Sequence, residues 1–335
     1  MPDINRRPEL QYAFAVQEPT GKTNLGDDTA ELLKRGGVTY TIPRRKNWWK
    51  TNLPEIDIWE GRNSQISLAV SMGAAQWGIV GLDKLTELEE TPDTPTPIIL
   101  KKLGYSHCTL KLGVREDIPY KSPEDLSGLV VATSYPRGTR RFFENAGVSV
   151  RILKIDGGVE AWVDREVAHA TVDVSVTGDS FQRNRIKDVA TVLESEAVLI
   201  ANPRLKEDPE SAGASWRAIR AVMTGIYDRD LTMMKVNFPA ELRDTIVSDK
   251  EILPARKSPT ILATGDPNLL AAESLVPKVD YNKIKQILLN LGAEDVFKLP
   301  VEDPSPNYDD PEVNRMMKML YGQDWVLPKN AYPIA

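Results

Sequence analysis

The chain has 335 residues, 41% of them apolar and 27% charged, with 42 Lys and Arg against 48 Asp and Glu for a formal net charge of −6. That length calls for two or three domains, and the acidic balance excludes a general nucleic-acid binder, because nothing supplies a broad cationic face. A single cysteine (Cys108) and two histidines (His107 and His169) exclude an internal disulfide, a cysteine-based zinc site and a His-rich metal centre.

Residues 10–17 alternate weakly and predict a strand, followed by a polar loop over 18–26. Asp27-Asp28-Thr29 opens a helix to Arg35, with Lys34-Arg35 suiting the dipole at its end and Gly36-Gly37 closing it. Further strands are expected at 55–60 and 77–80 (WGIV), with a helix at 66–73 between them. Residues 91–97 form a Pro-rich loop and 106–114 a long strand. Ser122-Pro123-Glu124-Asp125 carries a helix start with a capping acid. Strands at 129–133, 148–155 and 170–176, with a helix at 139–146, then short strands at 189–193 and 197–200, predict an α/β fold with a mostly parallel sheet. After a long amphipathic helix at 214–229, strands at 231–236, 258–262, 270–276 and 296–299 and a helix at 281–291 predict a smaller α+β domain. A separate tail follows Pro304. No apolar run approaches the roughly 20 residues that span a bilayer. The first residues lack the apolar stretch of a signal peptide. Together these point to a cytoplasmic protein without a membrane partner.

Four segments carry chemistry. Thr20-Gly21-Lys22-Thr23 ends like a phosphate-binding loop, but Val16 stands where that loop needs a glycine. Lys22, between a strand and a helix start, can still meet an anion. The run 172–181 (VDVSVTGDSF) delivers Asp173 on a strand and then Val176, Thr177, Gly178, Asp179 and Ser180. A glycine and hydroxyls at a strand end suit a phosphate, or are simply a turn. Thr133 to Arg141 is a second strand-to-helix junction, with Tyr135, Arg137, Arg140 and Arg141. It suits a polyanion or is a solvated cationic face. Gly157-Gly158-Val159-Glu160 is a third, where Glu160 holds a hydroxyl or an amine, or merely favours a helix dipole. Three such junctions suggest one cleft at strand carboxyl ends. His107 and His169 read as structural. Trp48-Trp49 is a stacking patch or a hairpin packed on a sheet, and the net charge favours the hairpin.

These residues, in this order, resemble the ATP phosphoribosyltransferase family. The resemblance rests on Asp125-Leu126-Ser127-Gly128, Ala132 to Pro136, Thr139 to Phe143, Gly157 to Glu160, Val172-Asp173 and Thr177-Gly178. It extends through Leu193 to Ala197 and Leu199 to Asn202, with Arg62 and Gly78 to Gly81 upstream. Downstream, Leu253-Pro254, Lys257 to Thr260, Leu291-Gly292-Ala293 and Leu299-Pro300 resemble the regulatory domain of the family's long form.

The resemblance implies a two-lobed catalytic region like a periplasmic binding protein, plus a ferredoxin-like α+β C-terminal domain. Residues 1–105 with 190–220 would form one lobe, 106–189 the second, 221–303 the regulatory domain and 304–335 a tail. It implies Mg²⁺-dependent transfer from phosphoribosyl pyrophosphate to N1 of ATP, a homo-oligomer (hexamer or dimer), and histidine as inhibitor. On that basis Asp173 serves the ribose hydroxyls or the metal, and Glu160 is its catalytic companion. Residues 176–180 hold the 5-phosphate, and Lys22, Arg62, Tyr135, Arg137 and Arg140 bind the other phosphates.

The chain departs from the family pattern at Asn24, Gln65, Thr109, Gly158, His169, Val176 and Ser180. Two other readings stay open: a paralogue passing the same donor to another nucleophile, and a non-catalytic binding or regulatory subunit.

Overall fold

Tyr12–Gln17 forms β1, whose first five residues are all buried. In the computed structural model the described residues are 12–21, 25–40, 47–175, 181, 183–249, 252–253, 259–301 and 310–327. They divide into two units, one of residues 1–30, 40–218 and 315–335, the other of 31–39 and 219–314.

The larger unit holds two sheets. The first runs β2 (Trp48–Lys50), β3 (Ile56–Gly61), β1, β4 (Trp77–Gly81), β11 (Ala197–Ala201), β5 (Ile98–Lys102). The second runs β10 (Ile186–Ser195), β6 (Cys108–Arg115), β9 (Ala170–Ser175), β7 (Val130–Thr133), β8 (Arg151–Lys154). Both sheets are mixed rather than mostly parallel. β1 is parallel to β3 and β4, and β7 to β8 and β9, while β5, β6, β10 and β11 pair antiparallel. The cause is a double crossing. The chain leaves the first sheet after β5 and returns between β10 and β11, so an antiparallel ribbon joins the sheets. Leu103 N–H donates to the Ala197 carbonyl, and Ala197 N–H to that of Tyr105. Helix α1 (Leu25–Arg35) pins this crossing, Thr29 pairing with the Tyr105 hydroxyl at 2.9 Å and Asp28 accepting from Ser106 at 2.7 Å.

The return crossing corrects a boundary. β10 begins at Ile186 and stays in the second sheet to Ser195, so the chain re-enters the first sheet at Glu196 rather than near residue 190. Register shifts between Asp188 and Ala190 and between Thr191 and Leu193 break the alternation that marks a long strand.

Helix α2 (Asn63–Met72) ends, as expected, at Gly73 with φ 81°. The short α3 (Leu82–Leu85) follows β4 directly. Ser122 caps a 3₁₀ turn at Pro123–Leu126, and the Asp125 carboxylate accepts the Lys121 and Ser122 N–H groups at 2.6 and 3.1 Å. Helix α4 (Pro136–Asn145) starts at its proline, three residues before the expected start. Helix α5 (Glu160–Asp164) opens on Glu160. Trp49 is buried and stacks on Tyr40 with ring centroids 5.2 Å apart, as the hairpin reading requires; Arg44, Arg45 and Lys46 lie outside the described residues.

Helix α6 (Ala212–Asp230) precedes the third sheet. In the smaller unit β12 (Leu231–Pro239), β13 (Thr260–Ala263), β14 (Leu269–Pro277) and β15 (Asp295–Leu299) form an antiparallel sheet in the order β13-β14-β12-β15. With α7 (Arg243–Ser248) and α8 (Tyr281–Asn290) the element order is β-α-β-β-α-β, which is ferredoxin-like. β12 alternates strictly in burial, and Met234, Val236 and Phe238 form the core with Ile246, Ile284 and Leu288.

The last turn of α1 approaches α6 very closely. A Cβ on Gly225 would run into the Leu32 carbonyl, and one on Gly36 into that of Ala221. Arg35 ties the pair through Asp228 at 3.0 Å.

The expected tail contains a helix, α9 (Pro311–Tyr321). Met316, Met317 and Leu320 are buried. The Tyr321 hydroxyl pairs with Ser211 and Ser215 at 2.6 Å each, and Arg315 donates to the Leu100 carbonyl at 3.1 Å. This helix is part of the fold, not an appendage.

Helix propensity alone favours Ala over Gly at position 225 by up to about 1 kcal/mol. The collision with the Leu32 backbone reverses the sign. Gly225→Ala is expected to lower unfolding free energy by about 2 kcal/mol, read as a reduced urea midpoint at unchanged slope.

Candidate functional site

A cleft of about 1240 Å³ opens in the larger unit at the carboxyl ends of β3, β4, β7 and β8. Asn63 and Lys84 line it from the first sheet. Ser134, Arg137, Arg140 and Asp156 line it from the second. Strand ends in open α/β sheets are the usual place for ligands, since successive loops converge there.

Asp173 sits on β9 between β6 and β7. It is half-buried behind Ser134. Its carboxylate accepts the Val174 N–H at 2.9 Å and the Ser134 hydroxyl at 3.3 Å. Thr133 sets this junction: its hydroxyl donates to the Val172 carbonyl at 2.6 Å and accepts the Tyr135 N–H at 2.9 Å. Burial pushes the Asp173 carboxyl above its ordinary range. The bonds from Val174 and Ser134 pull the other way, the charge of Glu160 raises it further, and that of Lys84 lowers it. Glu160, at the start of α5, is thus within electrostatic range of Asp173.

Other expected residues fall differently. Tyr135 does not line the cleft; it is 5% exposed, and its phenol donates to Asp83. Burial, then the negative charges of Asp83 and Asp173, hold its hydroxyl protonated. Its ring packs inward, with the Lys84 ammonium 3.7 Å from its centroid. Arg137 does line the cleft, but its backbone N–H and that of Gly138 are already taken by the Glu87 carboxylate, at 3.0 and 2.7 Å. The start of α4 is thus closed by the chain's own acid rather than left for a ligand anion. The Arg137 guanidinium lies 3.8 Å from Glu89, and Arg141 donates to the Thr86 carbonyl at 3.4 Å. Arg140 is exposed on the cleft wall. Arg62 precedes α2, its N–H bonded to the Gln65 side chain at 3.2 Å, and it adjoins Asn63 without lining the cleft itself. Lys22, Val176, Thr177, Gly178, Asp179 and Ser180 lie outside the described residues. His169 is structural, its Nδ1 accepting the Val130 N–H at 3.2 Å.

The segment after β4 carries residues that the sequence left without a role. Asp83 and Ser195 are both buried and bond reciprocally. The Ser195 hydroxyl donates to the Asp83 carboxylate at 2.8 Å, and the Asp83 N–H donates back at 2.9 Å. Lys84 reaches across, its Nζ 3.7 Å from the Tyr135 ring centroid. Cys108 lies beside this pair, its thiol pushed up first by burial and then by the Asp83 charge.

Because the fold holds the Asp173 carboxyl above its ordinary range, the folded chain binds that proton more tightly than the unfolded chain does. Its contribution to stability is then greatest in acid and declines as pH rises through the shifted range. Asp173→Asn, which keeps an acceptor for Ser134 and Val174, is expected to raise stability at neutral pH, with the gain vanishing in acid below the ordinary carboxylate range. Urea titrations at several pH values read this out.

The family model described as HisG: ATP phosphoribosyltransferase matches residues 62–226, and that of the HisG C-terminal domain matches 229–303. The chain is 31% identical over 288 residues to the ATP phosphoribosyltransferase of Methanopyrus kandleri, covering 85% of this chain and 97% of the relative. It is also 31% identical over 290 residues to that of Parabacteroides distasonis, covering 86% and 98%. Among solved structures, a chain of the ATP phosphoribosyl transferase (HisG:HisZ) complex from Thermotoga maritima aligns with a TM-score of 0.53 at 19% identity, covering 64% of this chain and 98% of that one. That likeness concerns the fold alone. Asp173, Glu160 and the cleft-lining residues all fall within the first matched segment. The chain belongs to the ATP phosphoribosyltransferase family, the enzymes of the first step of histidine biosynthesis, in the long form with a C-terminal domain.

Proposed function

We propose that the chain moves the 5-phosphoribosyl group of phosphoribosyl pyrophosphate to N1 of the adenine of ATP, releasing pyrophosphate. The observation that carries this is Asp173 on the central strand of the second sheet, half-buried beside Ser134 and Glu160, at the head of the 176–180 segment. The adenine N1 lone pair forms the new bond to C1 of the ribose. The C1–O bond breaks with its electron pair passing to pyrophosphate, and the positive charge passes to the adenine ring. No protein nucleophile is needed. The chain positions two anionic substrates and excludes water.

In this reading Asp173 holds the ribose hydroxyls, and Glu160 keeps a second carboxylate beside them. Residues 176–180 take the 5-phosphate. The exposed Arg140 and the Arg137 side chain, with Lys22, meet the remaining phosphates, and Arg62 does so only by reaching in from beside Asn63. Among the described residues no group of three or more His, Cys, Asp or Glu is arranged for a metal. Asp173, half-buried behind the cleft-lining Ser134 with Glu160 in range of its charge, still suits Mg²⁺, which commonly binds through one or two carboxylates and substrate phosphates. Asp173 and Glu160 would hold it together with the donor, and when bound it neutralises charge on the pyrophosphate oxygens. The ferredoxin-like domain is the regulatory one, with histidine as its inhibitor, and the chain works as a homo-oligomer in the cytoplasm. Among the described residues no helix is long and apolar enough to cross a membrane.

Incubation with phosphoribosyl pyrophosphate, Mg²⁺, ATP and pyrophosphatase is expected to yield phosphoribosyl-ATP by mass spectrometry. Donor binding without that product would move the assignment to another acceptor. Asp173→Ala is expected to lower kcat by at least about 100-fold while circular dichroism stays unchanged.

A further inference from the structure

We infer that Lys84 is a pyrophosphate-binding residue of this cleft, gripping the leaving group of the phosphoribosyl donor from the side of the first sheet. The inference rests on the donor reading above and adds a residue to it.

Lys84 lines the cleft, half-buried, on the short helix α3. Its backbone is fixed, because the neighbouring Asp83 is locked to Ser195 and the Leu82 N–H donates to the Glu196 carbonyl at 3.0 Å. The ammonium crosses to the second sheet and rests 3.7 Å from the Tyr135 ring centroid. Arg137 and Arg141 on the same wall are engaged by Glu89 and the Thr86 carbonyl. Lys84 has no carboxylate in ion-pair reach among the described residues, and an aromatic face steadies a cation while leaving its other donors free.

The stereochemistry of the donor says which anion it would meet. In the α-configured donor the pyrophosphate on C1 projects from the same face of the ribose as the 2- and 3-hydroxyls. The 5-phosphate projects from the other end of the ring. Lys84 lines the same cleft as Ser134, whose hydroxyl donates to the Asp173 carboxylate, and its ammonium rests on the ring of the next residue, Tyr135, so it lies beside the pyrophosphate when Asp173 holds the hydroxyls. As the C1–O bond breaks, the bonding pair moves onto pyrophosphate. A cation there stabilises the charge that develops, without any proton transfer.

Lys84→Met keeps length and apolar contact with Tyr135 while removing the charge, and Lys84→Arg keeps the charge. For Lys84→Met the KM for phosphoribosyl pyrophosphate is expected to rise at least about tenfold and kcat to fall, with the KM for ATP within about twofold. Calorimetry with Mg²⁺ and inorganic pyrophosphate alone is expected to show Kd weakened about tenfold in Lys84→Met and mostly restored in Lys84→Arg. Unchanged pyrophosphate affinity in Lys84→Met would overturn the inference, as would equal losses for both substrates with that affinity intact, since those mark a packing role. The pyrophosphate titration is independent of turnover. If the chain formed no phosphoribosyl-ATP, a charge-dependent pyrophosphate site would still uphold Lys84 while the acceptor assignment failed.

Discussion

The reciprocal bond between Asp83 and Ser195 is the constraint on which the cleft depends. It is buried, charge-assisted and placed where the ribbon of β5, β6, β10 and β11 passes from one sheet to the other. Hydrogen bonds to a charged group contribute about 2 kcal/mol each, and an unpaired acid at such a site costs more. Asp83 also accepts the Tyr135 phenol, so one carboxylate ties the end of β4 to both β10 and the start of α4. Glu196 reinforces the same place, taking the Gly104 N–H at 2.9 Å and Lys102 at 3.3 Å. Lys84, the residue after Asp83, enters the cleft directly from this anchor.

Two acids one turn apart then do different work. Asp83 faces inward and fixes the crossing. Glu87 faces the second sheet and closes the first turn of α4 by accepting two backbone N–H groups. A helix start is a ready anion site, and here the chain fills it with its own carboxylate. The cations the cleft wall presents are side chains: Lys84, Arg137, Arg140, Arg141 and Lys154. This reconciles an overall charge of −6 with polyanionic substrates: the cations are few, local and held at the strand ends.

The Asp173 environment works against its ionised form. A carboxyl on a central strand, raised by burial and by Glu160, costs folding free energy at neutral pH. Its neighbours only partly offset that cost. Ser134, itself on the cleft wall, connects this carboxyl to that space.

Much of this was legible in the residues. The apolar run at 77–80, the Ser122 cap, the alternation of 231–236 and the glycine stops at 36–37 and 73 are local signals, and the structure bears them out. Asp173 stood out because an acid interrupts an apolar strand just before a Thr-Gly turn. Val313, Met316, Met317 and Leu320 carried a helical period that the tail's polar surroundings obscured. Other features were decided only by tertiary structure. The bulges of β10 hid a ten-residue strand, and the direction of β5 and β11 followed from the double crossing. Asp83 and Ser195 meet across 112 positions, and Tyr135, polar in sequence, turns inward to complete their network. The sequence by itself determined element types and family, because side-chain period and motif spacing act between near neighbours. Only the tertiary structure decided which charges face one another across the cleft, because those pairings depend on where distant strands cross.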